Sequence, residues 1–257
     1  MSNKIKIAYF YKDQLNLYGD NGNIEILYKR CEWRNISCQV DVIDEHSKLD
    51  SPTMKSYNIV FMGGGPDSGQ KSMYKDLLNE KGSYLKDYVE EDGIGLFICG
   101  SYQLLGNFYK ASDGLVLEGL GIFDLNTEHF GQKSPRCIGN VSAKLDNRIL
   151  DDIYFKNNNR TGSTIVGFEN HGGRTFLKNQ NEKLAQVIIG NGNNSKDGTE
   201  GIHYKNSLGT YFHGPFLSKN PHIADYLIAK ALYVEKLTEL DDTFINQAHA
   251  ASLELKQ

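Results

Sequence analysis

The chain has 257 residues, of which 39% are hydrophobic and 23% are charged. This length and composition exclude a disordered or fibrous protein and favour one globular domain with at most a short appendage. The formal net charge is −4 and no dense basic block occurs, so we expect no nucleic-acid partner. The apolar runs are far shorter than the roughly 20 residues that cross a bilayer, and the sequence after Met1 lacks a signal-peptide pattern. We therefore expect a cytoplasmic protein without a transmembrane segment.

Strand-like and helical segments alternate in the first part of the chain, as is typical of a mostly parallel sheet with helices on both faces. The sequence predicts helices from Asn23 to about Asn35, through 77–89 with an interruption near 81–82, and over 102–108. Strands are predicted over 4–11, 37–43, 58–62 and 95–98. This order predicts an α/β domain with three layers.

The second part of the chain is richer in strand-like segments. Asn220 is predicted to cap a helix that begins with Pro221. The residues beyond Thr238 either fray or dock as a last short helix, so the expected organisation is one domain over 1–237 and a tail over 238–257. Strands are predicted over 116–123, 137–143, 164–168, 185–189, 200–204 and 208–212.

The cysteines show neither C-x-x-C pairs nor histidines at the spacing of metal ligands, so we expect no metal site and no disulfide framework. Cys99 differs from Cys31, Cys38 and Cys137 because it lies between an apolar strand and a predicted helix. A sharp turn there exposes a side chain at the carboxyl end of a sheet, and helix amides favour the thiolate. Cys99 is therefore a candidate nucleophile, although a buried cysteine that only fills the core fits the same pattern.

Glycines and histidines elsewhere supply possible partners for this thiol. Residues 63–65 are three glycines directly after another apolar strand, where main chain can approach a ligand closely and an amide can face a developing negative charge. An ordinary flexible turn explains the same run. An imidazole must accept the thiol proton; His213, which ends a strand-like run, is the first candidate and His171 the second.

Several motifs resemble the class I glutamine amidotransferases, and in particular their cobyric-acid-synthase-like (CobB/CobQ-like) branch. Residues 98–103 (I-C-G-S-Y-Q) resemble the nucleophile turn of that family, with the three glycines upstream and a strand-terminal histidine downstream. Segments 15–23 (L-N-L-Y-G-D-N-G-N), 166–175 (V-G-F-E-N-H-G-G-R-T) and 201–205 (G-I-H-Y-K) resemble the GatD family, the glutaminase subunits of lipid II isoglutaminyl synthases of Gram-positive bacteria. The resemblance covers roughly 4–235 and implies a flavodoxin-like fold.

The resemblance also implies roles for individual residues. Cys99 would attack the side-chain amide of L-glutamine, and His213 would serve as general base and then as acid. The amides of Gly65 and Gly100 would form the oxyanion hole, and Gln103 would contact the substrate. Arg136 lies where this family places an arginine at the glutamine pocket, and a guanidinium suits a carboxylate; a solvated loop arginine is the alternative.

The sequence departs from the family pattern at two positions. Ser101 replaces a glycine, which either narrows the pocket or only adds a hydroxyl to the turn. Pro215 stands where the wider family has an acid two residues after its histidine, so the carboxylate that orients His213 comes from elsewhere in the chain or from a partner. We expect the partner to supply it, and therefore expect slow glutamine hydrolysis by the isolated chain.

A partner subunit is expected because released ammonia needs an activated acceptor, and the chain has no G-x-x-x-x-G-K-[ST] phosphate loop. The resemblance implies a MurT-like, Mur-ligase-related subunit in a heterodimer. That partner would hold ATP and magnesium and amidate the α-carboxyl of D-glutamate in lipid II, so no cofactor is expected in this chain. A glutaminase subunit of another amidating ligase, such as a cobyrinate-type enzyme, and a non-catalytic binding module of the same fold are the alternatives.

Overall fold

The computed structural model describes residues 3–158 and 162–255, apart from the side chains of Asp67 and Lys71. Its strands fall into three sheets. They are β1 (Lys4–Phe10), β2 (Ser37–Ile43), β3 (Ile59–Met62), β4 (Ile94–Ile98), β5 (Phe108–Lys110), β6 (Val116–Glu118), β7 (Leu125–His129), β8 (Cys137–Leu145), β9 (Thr164–His171), β10 (Gly173–Leu177), β11 (Ala185–Ile189), β12 (Thr199–Glu200), β13 (Ile202–Tyr204) and β14 (Ser207–Thr210).

The central sheet has the strand order β13-β14-β4-β3-β1-β2. Its strands from β14 to β2 are parallel, and β13 adds an antiparallel edge. Every residue of β3 and β4 is buried, which is why both read as uninterrupted apolar runs rather than alternating ones. The other sheets have the orders β10-β7-β5-β6 and β12-β11-β8-β9.

Helices cover the two faces of the central sheet because its connections run in opposite directions. The step from β1 to β2 runs one way along the sheet and the step from β3 to β4 the other, so right-handed connections place their helices on opposite faces. The helices are α1 (Asn21–Glu32), α2 (Ser51–Lys55), α3 (Asp67–Asp76), α4 (Gly82–Glu90), α5 (Gly100–Leu104), α6 (Asn147–Leu150), α7 (Ile153–Asn157), α8 (Pro221–Leu232) and α9 (Thr243–Leu253), with a π-helical turn over Leu77–Lys81. Helix α8 packs on α1 and on β1 and β4, while α2 contacts α4. The predicted three-layer α/β fold is thereby confirmed.

Two predicted elements are shorter than expected. The helix expected over 102–108 is α5, which ends at Leu104, and the strand expected over 116–123 is β6, which ends at Glu118. Glycines explain both endings: a methyl group on Gly119 would overlap the carbonyl oxygen of Gly106, so the two segments cross at close range. The strand expected over 200–204 is likewise divided at Gly201, whose φ is +60°.

An ion pair with the buried Arg30 ties the residues just before α9 to the domain. The Arg30 guanidinium binds Asp225 of α8 at 2.6 Å and Asp242, just before α9, at 2.7 Å. The predicted capping role of Asn220 is wrong: its side-chain amide binds both main-chain groups of Val166 in β9 instead. Of the helices in the described ranges, none is both long and apolar enough to cross a membrane.

Candidate active site

The candidate site residues follow the carboxyl ends of adjacent strands of the central sheet. Cys99 follows β4, the three glycines at 63–65 follow β3, and His213 follows β14. The loop after β1 adds Asp20, which lies directly before α1. Parallel strands present their carboxyl ends at one edge of a sheet, and ligands bind in the crevice there. The topology therefore brings together residues that lie far apart in sequence.

Cys99 occupies a sharp turn between β4 and α5. Its backbone has φ 51° and ψ −100°, a conformation that costs an L-residue about 1–3 kcal/mol and persists only where the surroundings impose it. Its N–H donates to the Thr210 carbonyl at 2.8 Å, which ties the turn to β14. The Ser101 hydroxyl donates to the carbonyl oxygens of Met62 and Ile98, so this departure from the family pattern braces the turn. Since α5 has five residues, the sulfur is influenced by its first amides rather than by a long helix dipole.

His213 faces the thiol across Gly64. A methyl group on Gly64 would lie 2.9 Å from Cε1 of His213 and 3.1 Å from Cβ of Cys99. Any other residue at position 64 would therefore separate the imidazole from the sulfur. Both side chains are almost fully buried, at 1% and 6% exposure.

The carboxylate beside His213 belongs to this chain. Asp20 Oδ1 lies 3.0 Å from Nδ1 of His213, and Asp20 Oδ2 accepts a hydrogen bond from the Gly64 amide at 2.7 Å. This contact favours the tautomer with its proton on Nδ1, which leaves Nε2 as the acceptor for the thiol proton. The expectation that a partner supplies the orienting acid is therefore wrong. Slow glutamine hydrolysis by the isolated chain was expected only on that ground, so the reason for expecting it no longer holds.

The sequence around Asp20 explains how it reaches His213, 193 positions away. The start of α1 docks onto the segment after β14: the Asn23 side chain accepts from the Leu217 amide, and a methyl group on Gly22 would overlap Pro215. Pro215, which replaces the usual acid, thus forms part of the surface that receives α1. Sequence reasoning missed Asp20 because it searched only near the histidine.

The charge state of His213 reflects these contacts. Burial by itself lowers the pKa of an imidazole, but the hydrogen bond to Asp20 and the interaction with Cys99 outweigh it and raise the pKa of His213 above its usual range. An imidazole that holds its proton next to the attacking sulfur is suited to donate that proton to a leaving group. The arrangement can therefore supply a nucleophile and a proton donor together.

Two main-chain amides lie beside this pair. A methyl group on Gly100 would lie 3.2 Å from the Gly65 nitrogen, and neither amide donates to an acceptor within the described part of the chain. The Leu17 amide binds the Gly64 carbonyl oxygen at 2.9 Å. The Gly64 C=O and the Gly65 N–H belong to one peptide group and point in opposite directions, so this bond turns the Gly65 N–H away from Leu17. The two predicted oxyanion donors, the amides of Gly65 and Gly100, therefore lie next to each other and are both available.

The glycine run is required by packing as well as by chemistry. Methyl groups on Gly63 and Gly65 would overlap main-chain atoms of Leu15 and Gln14, in the loop after β1. The glycines therefore admit the loop that carries Asp20. This finding replaces the interpretation of 63–65 as an ordinary flexible turn.

Gln103 and Arg136 lie at different depths. Gln103 is buried, and its side-chain amide donates to the Tyr211 hydroxyl at 3.1 Å. Arg136 is exposed and donates to both oxygens of Asn170, whose side chain in turn donates to the Tyr18 hydroxyl. The Tyr18 ring lies edge-on to His213, with centroids 4.9 Å apart. Arg136 is thereby connected to the catalytic histidine candidate through two side chains.

His171, the second histidine candidate, does not face the thiol. Its ring stacks on Tyr211 with centroids 3.6 Å apart, and its Nδ1 lies 2.8 Å from the Gly173 carbonyl oxygen. Burial lowers the pKa of His171 below its usual range. These contacts indicate a structural role behind the site.

Comparisons with known proteins agree with this geometry. The model of the CobB/CobQ-like glutamine amidotransferase domain matches residues 6–221. The GatD subunit of the glutamine-hydrolysing lipid II isoglutaminyl synthase from Staphylococcus aureus (strain N315) is 44% identical over 228 residues, which cover 89% of this chain and 84% of that protein. Its counterpart from Streptococcus pneumoniae (strain ATCC BAA-255 / R6) is 40% identical over 229 residues, covering 89% and 81%. Among solved structures, PurLQS from Thermotoga maritima shares the fold, with a TM-score of 0.59 at 15% identity over 90% of this chain and 98% of that one.

Proposed function

Since the chain belongs to the CobB/CobQ-like glutamine amidotransferase family, we propose that it is the glutaminase subunit of a lipid II isoglutaminyl synthase. The observation that carries the proposal is the arrangement of Cys99, His213 and Asp20 at the carboxyl edge of the sheet, beside two free amides. The alternative of a non-catalytic module depended on the absence of an acid near His213 in the sequence. Asp20 supplies that acid, so the alternative loses its support.

The proposed reaction has two halves. The Cys99 sulfur attacks the side-chain carbonyl carbon of L-glutamine, and the amides of Gly65 and Gly100 bind the oxyanion that forms. His213 passes the thiol proton to the amide nitrogen, so that ammonia leaves and a thioester remains. His213 then removes a proton from water, the hydroxide attacks the thioester, and the proton returns to sulfur as glutamate departs. Asp20 holds the imidazole in position throughout.

Arg136 is proposed to bind the α-carboxylate of glutamine. Its guanidinium lies at the exposed rim of the site, 2.9 Å from Asn170 Oδ1, within a chain of contacts that ends at His213. A bidentate bond to a carboxylate matches the geometry of this group. Arg136→Ala should therefore raise the KM for glutamine while the melting temperature stays almost unchanged, because an exposed guanidinium contributes little to the core.

The partner is proposed to be a cytoplasmic, MurT-like Mur ligase subunit. It would hold ATP and magnesium, activate the α-carboxyl of D-glutamate in lipid II, and receive the ammonia. This assignment is supported by the identity to the two GatD subunits over most of their length.

The test uses the chain purified with this partner. We expect glutamine-dependent amidation of lipid II, visible by mass spectrometry, and a loss of several orders of magnitude in glutamine hydrolysis for Cys99→Ser, since a hydroxyl is a far weaker nucleophile without thiolate character. Ammonium chloride should restore amidation by that variant, because the ligase subunit is intact. Cys137→Ser is the matched control: Cys137 is a buried thiol bound to Ser195, and its replacement should leave turnover unchanged. Near-normal hydrolysis by Cys99→Ser would refute the assignment.

A further inference from the structure

A buried glutamine beside the nucleophile turn has one end of its amide without a partner. Gln70 of α3 is 2% exposed, and its Oε1 has no hydrogen-bond partner among the described residues. An unpaired acceptor in such a place costs stability unless a ligand supplies the missing donor. The proposed mechanism gives Gln70 no role, and sequence reasoning did not select it.

The orientation of this amide follows from its neighbours. Gln70 Nε2 lies 3.3 Å from the Gly65 carbonyl oxygen and 3.4 Å from Gln103 Oε1. A carbonyl oxygen can only accept a hydrogen bond, so the nitrogen must be the end that faces Gly65. The free end is therefore the oxygen.

The amide of Gln70 also lies next to the reacting centre. A methyl group on Gly100 would be 2.8 Å from Gln70 Nε2 and 3.2 Å from the Gly65 nitrogen. These two glycines supply the amides proposed to bind the carbonyl oxygen of the substrate. The part of a bound glutamine nearest to Gln70 is thus its reacting carboxamide.

Gln103 differs from Gln70 because both ends of its amide are hydrogen-bonded to protein groups. Its Oε1 is used by Gln70, and its Nε2 donates to the Tyr211 hydroxyl at 3.1 Å. Tyr211 is in turn hydrogen-bonded to Thr175. This series of bonds fixes the amide of Gln70 with its oxygen unpaired.

We propose that Gln70 binds the substrate, with its Oε1 accepting a hydrogen bond from the carboxamide N–H of L-glutamine. The proposal rests on the proposed glutaminase function. A carboxamide carries two N–H donors, whereas the carboxylate of the product glutamate carries none and would bring a second acceptor against Oε1. Gln70 thereby favours the amide substrate over its product.

The experiment measures binding without turnover, in the complex with the partner and with Cys99 replaced by Ala. Calorimetry gives the Kd of L-glutamine and of L-glutamate with and without Gln70→Met, which keeps the length of the side chain and removes the acceptor. We expect glutamine to bind about 3- to 10-fold more weakly, as for the loss of one neutral hydrogen bond, while glutamate binds as well as before or more tightly. Gln70→Leu serves in the same way if the Met variant does not fold.

Gln14→Met is the matched control. Gln14 lies in the loop that packs on Gly65, and its Oε1 is also without a partner among the described residues, but its Nε2 donates to Glu45 at 3.2 Å and not to the Gly65 carbonyl oxygen. Both affinities should therefore stay unchanged. Equal weakening of glutamine and glutamate would place the contact at a group that both share, such as the α-ammonium, and would overturn the proposal. Unchanged affinities would overturn it as well. If the Cys99→Ala complex with Gln70 intact binds no glutamine, the proposed function itself fails, which is a separate result.

Discussion

His213 and His171 are both buried and both have a carboxylate nearby, yet their protons are held in opposite ways. His213 shares a 3.0 Å hydrogen bond with Asp20, and its pKa is raised. His171 lies 3.7 Å from Glu169, and burial lowers its pKa. Burial disfavours the charged imidazole in both places, so the difference comes from the neighbours. Asp20 and Cys99 together raise the pKa of His213 by more than burial lowers it, whereas Glu169 does not outweigh burial at His171.

The two carboxylates differ in what else they bind. Glu169 is held by the 191–192 loop: the main-chain and side-chain amides of Asn191 donate to its Oε1 at 2.6 and 2.8 Å, and the Gly192 amide donates to its Oε2 at 2.9 Å. Asp20 accepts from Gly64 on Oδ2 and keeps Oδ1 for the imidazole. The buried histidine that can carry a proton is the one with a carboxylate at hydrogen-bond distance and the Cys99 thiol beside it, whereas the more distant Glu169 leaves His171 as a packing residue.

The strongest test of this contrast replaces each histidine by glutamine. His213→Gln should lower kcat by about 10⁴-fold, the upper range for losing a general acid–base group. His171→Gln should leave kcat within a few-fold and lower the melting temperature, because it removes a ring stacked at 3.6 Å on Tyr211. Glutaminase kinetics and thermal unfolding of both variants provide the measurements. A kcat loss of similar size in both would mean that the assignment of roles is wrong.

The second test exchanges each carboxylate for its amide. Asp20→Asn should lower kcat by about 10³–10⁴-fold, as the loss of the orienting acid does in a serine-protease triad. It should also move the alkaline limb of the kcat/KM profile to lower pH, because the bond that raises the pKa of His213 is gone. Glu169→Gln, the control, should destabilise the 191–192 loop and leave the profile in place. Measurements on the free chain and on the complex decide whether Asp20 suffices: if Asp20→Asn is silent in the complex, the partner supplies the acid after all.

The contrast also shows which parts of the site can be predicted from sequence. Cys99, Gly65 and Gly100 lie in short motifs directly after apolar strands, so local pattern and the carboxyl-edge rule place them near one another. The environment of Asp20 depends on the docking of α1 against the segment after β14, which no local pattern reports. The sequence marks Asp20 only as an Asp directly before a helix, and an Asp in that position usually caps the helix. In the structure its side chain makes no cap bond because it turns towards His213.

Some helix and strand boundaries were predicted wrongly for a related reason. The predicted helix 102–108 continues a favourable periodicity, but the close crossing of Gly106 and Gly119 ends it at Leu104. That crossing is a contact between segments, and a window of sequence does not contain it. The sequence pattern therefore predicted strands such as β3 and β4, which are buried on both faces and form apolar runs, better than the short strands of the smaller sheets.

The smallest expected effect concerns Glu200, a third buried carboxylate, which contacts Thr210 and Tyr211 just before His213. Its Oε1 accepts from the Thr210 hydroxyl at 2.6 Å and from the Tyr211 amide at 2.9 Å, while Oε2 has no hydrogen-bond partner in the part of the chain that the structure describes. Burial raises the pKa of Glu200 to about 7. The native state thus binds this proton more tightly than the unfolded chain does, so the associated stability is complete at low pH and is lost as the pH rises through 7.

Glu200→Gln removes the titrating group and should flatten this dependence. The difference in the free energy of unfolding between the variant and the unmodified chain should grow in favour of the variant from pH 5 to pH 8. For a pKa shift of this size the growth is at most about 3 kcal/mol. Urea denaturation at the two pH values measures it, and the comparison between them cancels any fixed effect of the new amide. Glu80→Gln, at an exposed position, is the control and should leave the pH dependence as it is. If both variants retain the pH dependence of the unmodified chain, Glu200 is already ionised in the native state, and the Thr210 and Tyr211 donors stabilise its charge as the Gly64 donor and His213 stabilise that of Asp20.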